Sequence, residues 1–176
     1  MGQMIDALIG ELEQEAATTR RVLERVPNDR LSWKPHPKSM TLGQLAHHVA
    51  WIPGAVVEFT SQPTAQEPTF EHPTATNTAE LVPALEASIA KAKTLLGAMG
   101  DAALGETWRL MDGDREVMAI PRGAFLRSVM LNHWYHHRGQ LSVYLRALDV
   151  PLPSIYGPSA DENPFARREV GATASR

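Results

Sequence analysis

Apolar residues recur every three or four positions along four long stretches of the chain, with polar residues between them. This period matches one face of an α-helix, so the pattern predicts four amphipathic helices, at about residues 5–26, 42–59, 82–99 and 122–148. Local signals support the boundaries: Pro27 follows the first stretch, and Thr41 with Gln44 has the spacing of a capping box before the second. Pro53 lies inside the second stretch, where it must remove a helical hydrogen bond or kink the helix.

The segments between these stretches lack helical periodicity. Residues 61–78 are rich in Pro, Thr and Glu and predict a long loop. Before the fourth stretch, apolar residues flank Asp112-Gly113-Asp114, a pattern that predicts a small β-hairpin. The predicted fold is therefore all-α, a four-helix bundle with a small β-hairpin before the last helix. We expect a single domain over residues 1–170 and a frayed C-terminal tail at 171–176.

Composition narrows the available chemistry. The chain has 176 residues, a formal net charge of −3 and no cysteine. Disulfides, thiolate metal sites and a cysteine nucleophile are therefore excluded, and a metal would have to be held by His, Asp or Glu. The negative balance lacks the basic surface that nucleic-acid binding requires. We find neither a signal peptide nor an apolar run approaching 18 residues, so we expect a cytoplasmic protein that binds neither nucleic acid nor membranes.

Two histidines in the fourth predicted helix are the strongest chemical signal. His133 and His137 are four residues apart and share the face of Leu126 and Met130. At this spacing the two side chains lie next to each other, about 5–6 Å apart at Cβ, and can share one metal ion. The alternative is a pair of core histidines that are hydrogen-bonded to neighbouring helices.

A third ligand is expected from a facing helix, because bundle proteins assemble metal sites from several helices. The second helix offers His47 and His48, and the apolar stripe through Leu45 and Ile52 favours His48. Three neutral imidazoles leave a coordination position open for water or a thiolate, which is typical of catalytic rather than structural zinc. Imidazole also suits nickel, iron and copper, so the ligand type does not identify the metal.

Four neighbouring residues of the fourth helix have other predicted roles. Gln140 follows His137 by three residues and could hydrogen-bond a ligand or the bound water, or could equally satisfy a backbone group. His136 is predicted to lie on the flank of the helix. Arg138 is predicted to form an ion pair on the side of the bundle. Gly139 would let another helix approach closely.

The chain resembles the DinB/YfiT-like superfamily in three segments: TLGQLAHHVA at 41–50, HWYHHRGQL at 133–141 and VPLPSIYGPS at 150–159. The resemblance covers residues from Met4 to about Pro164. It implies an up-up-down-down four-helix bundle that is often dimeric, with a divalent metal on three histidines. Those histidines match His48, His133 and His137 here, and His47 is additional.

Several members of that superfamily are thiol transferases or isomerases that use bacillithiol, mycothiol or glutathione, whereas many have no known reaction. The resemblance therefore implies a homodimeric, metal-dependent transferase that uses a low-molecular-weight thiol on a small electrophile. Zinc, nickel or iron would be the cofactor, and a metal-bound thiolate or water would be the reacting group. The alternatives are a metal-dependent hydrolase and a non-catalytic metal-binding or dimerisation module. No Glu accompanies the histidine pair as in H-E-x-x-H, which makes hydrolysis the weaker enzyme hypothesis.

The C-terminal segment should pack on the helices although it cannot be helical. Prolines interrupt it repeatedly, yet Ile155, Tyr156 and Phe165 are large apolar side chains. We expect Tyr156 in particular to pack against the helices and to fix the segment near one end of the bundle.

Overall fold

The structure is a computed structural model that describes residues 2–69 and 73–166. The predicted frayed tail at 171–176 lies outside the described residues. Four long helical segments carry most of the chain. They are α1 (Gln3–Leu23), α2 (Leu42–Phe59), α3 (Leu81–Met99) and a composite last helix, and α4 (Asp101–Gly105) is a short addition after α3. The up-up-down-down order of a bundle stays a prediction.

Local sequence accounts for where α2 begins. The Thr41 hydroxyl accepts a hydrogen bond from the Gln44 backbone N–H, and the Gln44 side chain accepts one from the Thr41 N–H, at 3.2 and 2.9 Å. This is the reciprocal capping box that the sequence predicted. α2 then continues through Pro53 to Phe59 without ending at the proline.

A small sheet lies beside the helices. Strand β2 (Thr107–Asp112) pairs antiparallel with β3 (Arg115–Pro121), and Gly113 between them has φ of +58°. Strand β1 (Thr64–Gln66) pairs parallel with β2. The prediction of an uninterrupted loop over 61–78 was therefore wrong at β1, because a three-residue strand is stabilised by its distant partner and leaves no local pattern.

The last helix consists of three segments: α5 (Arg122–Phe125), a π-helical segment (Leu126–Asn132) and α6 (His133–Ala147). In the π segment each hydrogen bond spans one residue more than in an α-helix, and the His133 N–H accordingly bonds to the carbonyl of Ser128. The fully buried stripe of α6 is formed by Trp134, Arg138, Leu141 and Leu145. The histidines lie beside that stripe rather than at its centre.

The C-terminal segment packs on the helices in a different way from that predicted. Tyr156 is 71% exposed, its ring lies edge-on to Tyr135 with 6.5 Å between centroids, and its hydroxyl donates to Glu15 Oε2 at 2.9 Å. Ile155 packs against the core, as expected. Phe165 is 75% exposed, so the prediction that it would be covered was wrong. Polar contacts and the packing of Val150, Leu152 and Ile155 against the core hold this segment, rather than burial of its aromatic rings.

The four long segments enclose one apolar core. Most of its members come from α1, α2, α3 and the last helix, with α2 and α3 in the most extensive contact. Among the described residues, no helix combines the length and apolar character needed to cross a membrane.

Candidate metal centre

Three histidines from two helices converge on one point. His48 comes from α2, and His133 and His137 come from successive turns of α6. The His48 ring lies 5.4 Å from the His133 ring and 4.7 Å from the His137 ring, measured between centroids. One nitrogen from each ring can be chosen so that all three lie within 4.8 Å of one another. The structure thus brings together the three residues that the sequence singled out.

Gln140 orients the His137 ring. Its Oε1 atom lies 2.7 Å from His137 Nδ1, and an amide oxygen can only accept, so Nδ1 carries the proton. The neutral ring then presents an unprotonated Nε2 to the other histidines, which is the form that binds metals. Gln140 therefore hydrogen-bonds a candidate ligand, which is one of the roles that the sequence suggested. It supports a candidate ligand from behind, as the partners of metal-bound histidines do.

The Nε2 atoms of His133 and His137 lie only 2.7 Å apart. Two nitrogen lone pairs at that distance would repel, so one ring donates an N–H to the lone pair of the other. With His137 Nδ1 protonated, His137 Nε2 is the acceptor and His133 Nε2 the donor in the proton-bridged state. A metal ion would replace that proton.

The surroundings favour a neutral His133. Burial lowers the pKa of its imidazole below the usual value near 6.5, and the nearby His136 lowers it further. The Val129 backbone acts in the opposite direction by interacting favourably with the protonated ring. A neutral ring is what a metal requires, because a protonated nitrogen has no lone pair to donate.

The donor set fits a divalent transition metal. Zn–N bonds are about 2.0–2.1 Å long, so the nitrogens of a tetrahedral site are about 3.3 Å apart. The three nitrogens lie within 4.8 Å of one another and the closest pair is 2.7 Å apart, so side-chain rotations that separate this pair and bring His48 closer would complete the site. Three imidazoles and no carboxylate suit zinc, nickel, copper or iron better than magnesium or calcium.

The neighbouring histidines lie outside this cluster. His47 is half-buried on α2 and is not one of the three converging residues, which supports the preference for His48. His136 is exposed on the flank, as predicted, although its ring centroid is 5.1 Å from that of His137.

Arg138 forms the predicted ion pair, but not in the predicted place. It was expected on the side of the bundle, whereas it is 1% exposed, and its guanidinium lies 2.5 Å from Glu15 Oε2. It also donates to the Thr19 hydroxyl at 3.1 Å and to the Tyr156 hydroxyl at 2.5 Å. Glu15 is 7% exposed as well, so both partners of this ion pair are buried. Periodicity could not predict this, because it assigns charged residues to the solvent face of an amphipathic helix.

Comparison with known proteins agrees with this architecture. The model of the DinB family matches residues 1–168. The chain belongs to the DinB family. A curated relative, the uncharacterized protein YrdA of Bacillus subtilis (strain 168), is 28% identical over 163 residues, which cover 92% of this chain and 93% of YrdA.

Two crystal structures of DinB-like proteins share the fold of this DinB family member. One, from Bacillus cereus ATCC 10987, is 21% identical with a TM-score of 0.69, and the match covers 86% of this chain and 97% of the other. The second, YjoA from Bacillus subtilis, is 20% identical with a TM-score of 0.64 and coverage of 85% and 97%. At these identities the likeness establishes the fold alone.

Proposed function

We propose that His48, His133 and His137 hold one divalent metal ion, and that this DinB family protein is a metal-dependent transferase that uses a low-molecular-weight thiol. The observation that carries the proposal is the convergence of three imidazole nitrogens within 4.8 Å. Gln140 adds to it, because it fixes His137 in the tautomer whose Nε2 is available. Zinc, nickel or iron fits this donor set.

The chain's own residues would bind the metal and orient its ligands. The three histidines supply neutral donors and leave a coordination position for an exogenous ligand. The bound metal would stabilise the thiolate form of a small thiol, which is the nucleophilic form, for attack on a small electrophile. The chain contains no cysteine, which is consistent with a nucleophile supplied by a cosubstrate. Gln140 would keep the proton on His137 Nδ1 throughout.

Metal content tests the binding part of the proposal. We expect one zinc or nickel ion per chain in the purified protein, and almost none in His133→Ala, His137→Ala or His48→Ala. His47→Ala is the matched control, since it removes the neighbouring imidazole of the same helix, and it should keep the wild-type stoichiometry. Loss of metal in His47→Ala but not in His48→Ala would reverse the choice of the third ligand. Unchanged content in the His133 and His137 variants would rule out the site.

Turnover tests the catalytic part. The metal-loaded protein is incubated with bacillithiol, mycothiol or glutathione and a panel of small electrophiles, and thiol consumption is compared with that of His137→Ala. Metal-dependent conjugation or isomerisation supports the transferase. Hydrolysis of ester or amide probes without thiol would instead identify a hydrolase. Bound metal with no turnover on either panel would leave a non-catalytic binding module.

We also propose the assembly that the DinB resemblance implies. The helices would be arranged up-up-down-down within a single domain over residues 1–170, and two chains would form a homodimer. Light scattering at micromolar concentration tests the dimer, for which a mass near twice 19.4 kDa is expected. A mass of one chain would contradict it. Localisation in the cytoplasm is likewise a proposal, which fractionation of the host cell tests.

A further inference from the structure

Pro53 interrupts the backbone hydrogen bonding of α2 in the part of the helix that follows His48. Proline has no backbone N–H, so the carbonyl of Val49, four residues earlier, loses the donor that an α-helix normally provides. A buried carbonyl without a partner is costly, so another donor is required. The Trp134 indole supplies it: Nε1 donates to the Val49 oxygen at 2.7 Å.

Other groups around the same break are also paired. Ser88 of α3 accepts from the Gly54 N–H at 2.8 Å and donates to the Trp51 carbonyl at 2.9 Å. α3 packs so tightly there that a Cβ on Gly54 would lie 2.7 Å from the Ser88 carbonyl oxygen. Ser88 therefore joins the break to α3, whereas Trp134 joins it to α6.

The position of the Trp134 bond gives it a functional meaning. Val49 directly follows His48 in α2, and Trp134 directly follows His133 in α6. The bond thus connects the two helices within one residue of a candidate ligand on each side. Trp134 is 0% exposed, so its ring is fixed by packing, and a buried bond of 2.7 Å is little weakened by water.

We propose that Trp134 is a positioning residue, which uses the carbonyl released by Pro53 to hold α2 and α6 in the register where His48 meets His133 and His137. The inference rests on the proposed metal function for its purpose, but the register itself can be measured without metal. It assigns a role to Pro53 as well: the proline disables a helical bond so that an interhelical bond can form.

Trp134→Phe tests the proposal, because it keeps an aromatic ring and removes the donor. We expect the affinity for Zn²⁺ alone, measured by calorimetric titration, to fall about 10–100-fold, as when other supports of metal ligands are removed. Trp108→Phe is the matched control. Trp108 is also 0% exposed, yet its Nε1 has no hydrogen-bond partner among the described residues. Trp108→Phe should be destabilised, because it loses the same ring volume as Trp134→Phe, but its Zn²⁺ affinity should stay within about twofold of the wild type.

Pro53→Ala distinguishes two roles of the Trp134 bond: positioning the two helices, and giving the Val49 carbonyl a hydrogen-bond donor. In Trp134→Phe/Pro53→Ala the alanine restores a backbone N–H at position 53, and this N–H can bond to the Val49 oxygen within the helix. We expect the melting temperature to rise above that of Trp134→Phe while Zn²⁺ affinity stays low. Recovery of wild-type affinity in the double variant would overturn the proposal, since it would show that the Val49 carbonyl needs only some hydrogen-bond donor.

Should Trp134→Phe not fold, Pro53→Ala alone is informative. Its restored N–H competes for the same oxygen and should weaken Zn²⁺ binding, and unchanged affinity would count against the proposal.

Crystal structures of the metal-free proteins provide a readout that does not depend on the proposed function. We expect the His48–His133 ring separation, 5.4 Å between centroids, to increase in the double variant and to be unchanged in Trp108→Phe. An unchanged separation in the double variant would overturn the positioning role even if the wild type binds Zn²⁺. If the wild type binds no Zn²⁺ but the separation still increases in the double variant, the metal function would be refuted and the positioning role would stand.

Discussion

His137 and Arg138 are adjacent in α6, yet they belong to polar clusters of opposite kinds. The His137 side chain meets His48 and His133, and the facing nitrogens of the pair on α6 need a proton or a cation between them. The Arg138 side chain leaves α6 on a different face, where it pairs with the Glu15 carboxylate and donates to the Thr19 and Tyr156 hydroxyls.

The difference teaches how to separate a ligand site from a structural network in this helical protein. In the Arg138 cluster the guanidinium N–H groups donate to oxygen atoms, and the Arg138 cation faces the Glu15 carboxylate. Burial also raises the pKa of the Tyr156 phenol, so its hydroxyl stays protonated and donates to Glu15. In the histidine cluster three like groups meet, and a hydrogen bond joins His133 to His137. Three neutral imidazoles in one place are what the proposed metal site requires, because each can give a nitrogen lone pair to a cation.

Breaking the Arg138 cluster should have the largest effect on stability. Arg138→Met leaves the Glu15 carboxylate nearly buried without its cation, and removal of one partner of a buried pair costs about 3–5 kcal/mol. Urea denaturation measures the loss. Glu15→Leu/Arg138→Met removes both charges and should recover most of it. A loss below about 1 kcal/mol in Arg138→Met would mean that the network is not structural. The folded protein should still bind metal with wild-type stoichiometry.

Gln140→Leu should weaken metal binding without greatly affecting the metal-free fold. The variant removes the acceptor for His137 Nδ1–H, so the ring loses its fixed tautomer. Loss of such support typically costs 10–100-fold in affinity, or about 1.4–2.7 kcal/mol. Gln140→Glu keeps an acceptor at the same position and should retain tight binding in the same calorimetric titration. Equal affinities for the Leu variant and the wild type would show that Gln140 does not orient the ligand.

Tyr156→Phe should have a smaller effect, and it connects the Arg138 cluster to the C-terminal segment. Hydrogen bonds to charged groups are worth up to about 3 kcal/mol, and the 71% exposure of the residue reduces that to roughly 1 kcal/mol. Truncation after Val150 should lower the melting temperature at least as much, because it also removes Ile155 from the core. If Tyr156→Phe matches the wild type, ring contacts rather than the hydroxyl hold the segment.

The smallest expected effect is a pH dependence of the metal-free protein that arises from His133. Its pKa is lower in the folded chain than the usual value near 6.5, so the unfolded chain binds the proton more readily. The free energy of unfolding should therefore fall as the pH drops below about 6.5, until the pH passes the folded-state pKa. Denaturation in chelator at several pH values measures this slope. His133→Ala should flatten it, and an unaltered slope would assign the dependence to other groups.

Much of the helical framework could be predicted from the sequence. The capping box of Thr41 and Gln44, the end of α1 before Pro27 and the placement of His133 and His137 on successive turns were all confirmed. Each is a local feature, decided by residues within about four positions of one another, where helical geometry leaves little freedom. His48 was selected by phase on the apolar stripe, and it does converge with the pair.

The tertiary structure alone decided which groups those helices bring together. Glu15 and Arg138 are 123 residues apart, Val49 and Trp134 are 85 apart, and β1 pairs with a strand more than 40 residues later. No local spacing encodes such contacts, because they depend on how whole helices pack and on which buried groups still need partners after packing. The sequence by itself determined a helical protein with a histidine pair, and it indicated His48 and Gln140 beside that pair. Packing determined that His48 meets the pair and that the Trp134 indole bonds to the Val49 carbonyl.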